Sequence, residues 1–481
     1  MTKSTLIELL GKFTHKEITQ FGDYIRSPFF NKNQSVIKLY EYLRKIYPDF
    51  VESKVQKEYT YSVLFPNAQY NDGFMRTIMF NLSVLAEDFL AYIRFKNYHF
   101  IEKRNLLYEL NERKLDKQID RNLKEIVKEF EKVRVHDADY YNNKFMIEYE
   151  QFYYLNRLGL DKIDKFIDNK EVEDMFNHLT YFYLLHSFKL YVYILNSREI
   201  YPIDFKTKLV EDIINSLNPA FYQDIPIFNL YYNLVMLHLR PDDISYFYKV
   251  KELAVKYENC INEYEITDAY INMENYCKAM IRKGCSDFNK ELFELIKLEL
   301  EKKVYKVQGL MSTKYYTSAV EIGLKLKEYE WTKDFIETYK NELPIELREN
   351  TYLYTLSLYE FSHRNFEKSL DLLSKVKYNE AYHKAELRCL TAELYYELNL
   401  EESLLSHLDS FRHFLVNDNH LPKERKQYYM NFIKYVKFIN GLRNKTSRIE
   451  CGQLKDKLAA ETVIQNKEWL LNKAEELEKK K

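Results

Sequence analysis

Between Thr351 and Leu373 the chain reads TYLYTLSLYEFSHRNFEKSLDLL. At its middle stands Leu356-Ser357, an aliphatic residue followed by a small one, and the same pairing stands 34 residues earlier as Ile322-Gly323 and 34 later as Leu390-Thr391. Thr332, Phe366 and Leu400 keep that interval, as do Phe335, Ser369 and Ser403, and then Tyr339, Leu373 and His407. The small residue has a steric reason. It sits where the two helices of a hairpin cross, and a large side chain there would hold their axes apart.

The composition supports helices throughout. The chain has 481 residues, of which only 9 are glycine and 9 proline, while 44 are tyrosine and 31 phenylalanine. Folds built on many tight turns need residues at positive φ at their corners, so scarce glycine tells against sandwiches and barrels. An all-α chain remains.

Residues from about 315 to 416 resemble the tetratricopeptide superfamily, whose units have a 34-residue period. The resemblance implies an α-solenoid, antiparallel helix hairpins stacked around a concave groove. The whole chain is also similar to large uncharacterised bacterial helical-repeat proteins, through Ser27-Pro28-Phe29-Phe30-Asn31 and through Glu330-Trp331 followed by Phe335-Ile336 and Tyr339. That second likeness supports the fold and adds no chemistry.

Three regions follow from the helix patterns. An N-terminal helical domain covers 1–135, with a long helix from Asp72 to Tyr98 as its spine: Met75, Ile78, Met79, Leu82, Leu85, Phe89, Leu90 and Ile93 recur at three-and-four spacing. Ser27-Pro28 ends an earlier helix, and Asn33 caps the next. A middle array of tyrosine-rich hairpins covers 136–309, and the repeats with C-terminal capping helices cover 310–481. A closing helix from about Ala460 to Glu478 covers the last hairpin with Val463, Ile464, Leu470, Leu471, Ala474 and Leu477. Leu179 to Leu195 is the most apolar stretch, but His186 and Lys189 interrupt it and it falls short of the ~20 residues a membrane span needs. It reads as a buried helix of a cytoplasmic protein. Five widely spaced cysteines with no Cys-x-x-Cys pair fit a reducing compartment.

A formal net charge of −1 gives no global attraction for a polyanion. No two glycines lie closer than eleven residues, which excludes glycine-rich phosphate loops. His136-Asp137 with Asp139, and His407 with Asp409 and His413, are the best metal constellations; Asp137 or Asp139 as a helix cap accounts for the first, and the six-residue spacing of His407 and His413 weakens the second. The reading therefore has no catalytic residue, no metal and no cofactor, with a metal-dependent hydrolase centred on His136 as a remote third function.

Two binding surfaces compete. The family's concave side assigns Thr351, Tyr354, Leu358, Phe361 and Ser362 from one unit and Ala385, Arg388, Ala392, Tyr395 and Tyr396 from the next. An aromatic groove with Arg388 at its edge suits a protein or peptide partner; the alternative is that the chain's own helices fill it. From Leu421 to Leu442 a second surface appears. Lys423, Lys426, Lys434 and Lys437 fall within about 80° of arc at 100° per residue, a stripe for RNA or an acidic partner. The plain alternative is the wet side of an amphipathic helix, with Tyr428, Phe432, Tyr435, Ile439 and Leu442 as its dry side. The favoured function is a non-catalytic protein- or peptide-binding scaffold, with no membrane involvement.

Overall fold

A computed structural model describes residues 4–198, 205–307, 309–377, 381–443 and 448–479. Among these the fold is all-α: 24 α-helices, three short 3-10 turns and one two-stranded hairpin, Lys306–Val307 with Leu310–Met311. The chain divides into two compact units, Met1–Val133 with Asn142–His178, and Arg134–Tyr141 with Leu179–Lys481. The boundary expected at 309/310 falls in the small β-hairpin inside the second unit.

In the first unit, α1 (Thr5–Gly11), α2 (His15–Arg26), α3 (Gln34–Lys45) and α4 (Lys57–Leu64) all pack on α5 (Asp72–Asn97), which is followed by α6 (His99–Glu112) and α7 (Asp116–Phe130). The spine is as the periodicity predicts. Met75, Ile78, Met79, Leu82 and Phe89 are buried, while Leu90 on the flank is exposed. Three of these starts are capped by side chains: Thr14 and Glu17 form a reciprocal capping box on α2, Asn33 caps α3 as expected, and Asn71 caps α5. Ser27–Asn31 makes the turn between α2 and α3, with Asn31 Nδ2 donating to the Ile25 carbonyl at 2.9 Å. Gly22 is required by packing, because a Cβ there would lie 2.7 Å from the buried Tyr40 hydroxyl. Then come α8 (Ala138–Leu158), α9 (Leu160–Asp168) and α10 (Glu171–Arg198), of which residues 138–141 and 179–198 belong to the second unit. Asp137 caps α8 through Tyr140 N at 2.9 Å, the structural reading of the His136-Asp137 doublet.

The second unit continues with α11 (Lys208–Ser216), α12 (Pro226–Leu239), α13 (Ser245–Lys256), α14 (Glu263–Arg282), α15 (Phe288–Lys302), α16 (Thr313–Lys325), α17 (Tyr329–Tyr339), α18 (Ile345–Ser362), α19 (Phe366–Ser374), α20 (Ala381–Glu397), α21 (Glu401–Asn417), α22 (Lys423–Leu442), α23 (Arg448–Ala460) and α24 (Lys467–Lys479). From α12 to α21 each helix packs on the next in the chain. Second neighbours also touch, α12 on α14, α16 on α18, α20 on α22 and α22 on α24.

The turns show how so little glycine suffices. At Lys303, Lys327, Arg364 and Asn399 a non-glycine residue takes φ near +60°, and the next N–H bonds back to the carbonyl five residues earlier: Glu328 to Gly323, Asn365 to Glu360, Leu400 to Tyr395. These are Schellman ends, normally glycine's place. Lys327, Arg364 and Asn399 stand 37 and 35 residues apart, so the 34-residue interval joins positions that differ from hairpin to hairpin. In one hairpin a Cβ on Gly323 would run into Thr332 Oγ1, nine residues on; in the next, Ser357 meets Ser369, twelve on. The closing helix also starts later than expected, at Lys467, because Asn466 is left-handed (φ 51°). Ile464, Leu470, Ala474 and Leu477 join the predicted core.

Candidate binding surface on helix α10

Helix α10 is apolar on opposite sides. Leu184, Leu185, Phe188, Tyr191 and Val192 enter the core of the second unit, against residues such as Phe228 and Leu230 of α12. About 180° away, Leu179, Tyr183, His186, Leu190 and Tyr193 repeat at four-three spacing within about 80° of arc. All five are exposed, Leu190 to 64% and Tyr193 to 71%. This corrects the sequence expectation of a buried helix. Core packing explains one face, and the other faces solvent.

Polar side chains fix how α10 is turned. Lys189 Nζ donates to Glu265 Oε1 of α14 and lies over the Tyr231 ring of α12 at 5.3 Å. Burial pushes the Glu265 carboxyl above its ordinary range, and Lys189 opposes that shift. One α10 heptad later, Asn196 Nδ2 donates to Asn272 Oδ1 at 2.7 Å, and Asn275 Nδ2 donates to Asn196 Oδ1 at 3.1 Å. Asn272 Nδ2 is occupied by the Asp268 carbonyl at 2.7 Å. Its Oδ1 therefore also faces His238 Nε2 at 2.8 Å, which places the imidazole proton on that nitrogen. The seam runs through α10, α12 and α14 beside the apolar stripe. Ile271, between Asp268 and Asn275 on the same face of α14, is exposed.

The residues expected to line a groove lie elsewhere. Tyr354 (5% exposed) packs with Leu358, Phe361, Leu373 and Leu394 inside the α18–α20 stack, and Thr351, Ala385 and Ala392 are fully buried. Arg388 lies over the Phe414 ring at 5.0 Å and Tyr395 meets His407 edge-on at 5.6 Å, so both face α21. Ser362 is partly buried and donates to the Tyr359 carbonyl at 2.7 Å. Tyr396 (3% exposed) is covered by Arg443, 3.9 Å over its ring, and by Trp469. Another face of α20 carries Glu386, Glu393 and Glu397, and residues 465–473 occupy it. Gln465 Nε2 reaches Glu386 at 3.2 Å, Asn466 Nδ2 reaches Glu393 at 2.5 Å, and Trp469 Nε1 and Lys473 Nζ reach Glu397 at 2.9 and 2.8 Å. On this face of α20 the occupant is the chain's own segment.

The basic stripe divides. Lys423 and Lys434 are exposed on α22; Lys437 pairs with Asp409 at 2.5 Å, and Lys426 donates to the Asp418 carbonyl. His407 is half-buried with Nε2 2.9 Å from the Arg388 carbonyl, and desolvation lowers its pKa. Among the described residues no group of three or more His, Cys, Asp or Glu side chains is arranged to hold a metal ion, and no helix is long and apolar enough to cross a membrane.

Compared with known proteins, the chain matches no family model, no curated sequence and no solved structure. The α10 surface was missed in sequence because an all-round apolar helix reads as core. Its four-three spacing from Leu179 to Tyr193, on the side opposite Phe188, was the available signal.

Proposed function

We propose that the chain is a non-catalytic scaffold, an α-solenoid that is tetratricopeptide-like in its C-terminal third, and that a protein partner docks on the exposed face of α10. One observation carries the reading: a helix apolar on opposite sides has only one side covered, and a contiguous exposed apolar stripe is a docking surface by default. The polar seam at Lys189 and Asn196 supports it by holding the helix at a fixed rotation, so that the stripe is presented rather than rolled inward. The cytoplasm suits the buried thiols of Cys277 and Cys389, whose pKa values burial raises.

Capture from extracts of the native host with the wild-type chain and with Leu190→Glu/Tyr193→Glu tests the reading. Partners lost with the double variant support it; partner sets that stay identical, further copies of the chain counted among them, overturn it. The polyanion reading retains Lys423 and Lys434 as exposed cations, and it requires RNA binding that falls steeply with salt.

A further inference from the structure

We propose that the occupant of the α10 face is a second copy of the chain, its α10 lying antiparallel across the first. This rests on the reading of that face as a docking surface and names its partner.

The stripe is self-complementary. A two-fold axis close to His186 places Leu179 against Tyr193 and Tyr183 within one residue of Leu190, so each aliphatic side chain meets an aromatic one. Large-against-small pairing of this kind fills the space between two helices. Four-three spacing is also the pattern by which one helix seats the side chains of another. Charge favours the same partner. Lys189, the one charged side chain between Leu179 and Tyr193, is turned into the seam with Glu265, so the stripe itself has no charge to repel its copy and none to select an ionic partner. Direction follows from the helix ends: the first turn carries Glu171, Glu173 and Asp174, which a parallel pair would bring together and an antiparallel pair keeps apart.

Size sets the strength. From Leu179 to Tyr193 the seam is only about 21 Å long at 1.5 Å per residue, which belongs with small, reversible interfaces below ~1,200 Å². The dimer is therefore weak, with a Kd on the order of micromolar or above.

Sedimentation velocity of the full chain over a wide concentration range, with circular dichroism as the folding control, tests this. The expected result is a monomer–dimer equilibrium in the wild type, monomer for Leu190→Glu and for Tyr183→Lys, and recovery of dimer when the two variants are mixed, because antiparallel pairing sets those positions beside each other. Leu190→Ser replaces Leu190→Glu if the latter fails to fold. A wild type that stays monomeric at the highest concentration overturns the proposal, as does a dimer that Leu190→Glu leaves intact or one that mixing fails to restore. A monomeric wild type that still loses host partners, or loses binding to phosphatidylcholine vesicles, on Leu190→Glu assigns the face to another occupant. In the first case the docking reading survives without the dimer; if the face affects no binding at all, both fail.

Discussion

The Ser369 hydroxyl donates to the carbonyl of Ser357 at 2.8 Å, and both residues are completely buried where α19 crosses α18. The bond exists because both side chains are small enough to let the two backbones approach. Ser357→Phe and Ser369→Leu therefore overpack the crossing and cost roughly 1–3 kcal/mol, while a change at exposed Lys377 stays within about 0.5 kcal/mol. Denaturant midpoints of the three variants check the ordering.

Left-handed turn residues without glycine leave stability unused. Lys327 and Arg364 are exposed at φ 62° and 61°, a conformation that costs a non-glycine residue roughly 1 kcal/mol. Lys327→Gly and Arg364→Gly should each raise the unfolding temperature, whereas Gly323→Ala, which forces a methyl against Thr332 and Trp331, should lower it.

Acid titration has a definite sign at Glu393. Burial, opposed by the Asn466 hydrogen bond and reinforced by Glu397 and Glu386, pushes this carboxyl up to about 8 from an ordinary 4.5. The folded chain thus holds the proton more tightly than the unfolded one. Its contribution is greatest below pH 4.5, declines as pH rises through the window to 8, and is flat above. Glu393→Gln, which still accepts from Asn466, should flatten that part of the pH–stability curve; an unchanged slope between pH 5 and 8 counts against the assignment.

On α10 the two faces should respond oppositely. Leu190→Glu and Tyr193→Glu alter exposed side chains and leave the monomer's stability nearly unchanged. Phe188→Ala empties a fully buried site and costs about 3–5 kcal/mol. Thermal unfolding at low protein concentration separates them.

Helix content and the α5 spine were legible because hydrophobic period and caps such as Asn33 act locally. Scarce glycine accompanies the all-α class without meaning scarce left-handed turns, since lysine, arginine and asparagine occupy the turns that glycine usually fills. What stayed hidden was which face of a helix meets which neighbour. On α20, Arg388 and Tyr395 turn to α21 while Glu386, Glu393 and Glu397 meet residues 465–473, more than 65 positions away. A periodic pattern fixes the faces of one helix but leaves open what stands opposite each, and α10 hid its exposed side for the same reason.

That contact between α20 and residues 465–473 also bears on how the chain is made. During synthesis, at about 5–20 residues per second, Glu386, Glu393 and Glu397 leave the ribosome several seconds before Asn466, Trp469 and Lys473 exist to receive them. Through that interval Glu393 and Glu397 wait for the side chains of Asn466, Trp469 and Lys473, so the C-terminal part of the second unit closes late, with its last helix acting as a clasp rather than a trailing end.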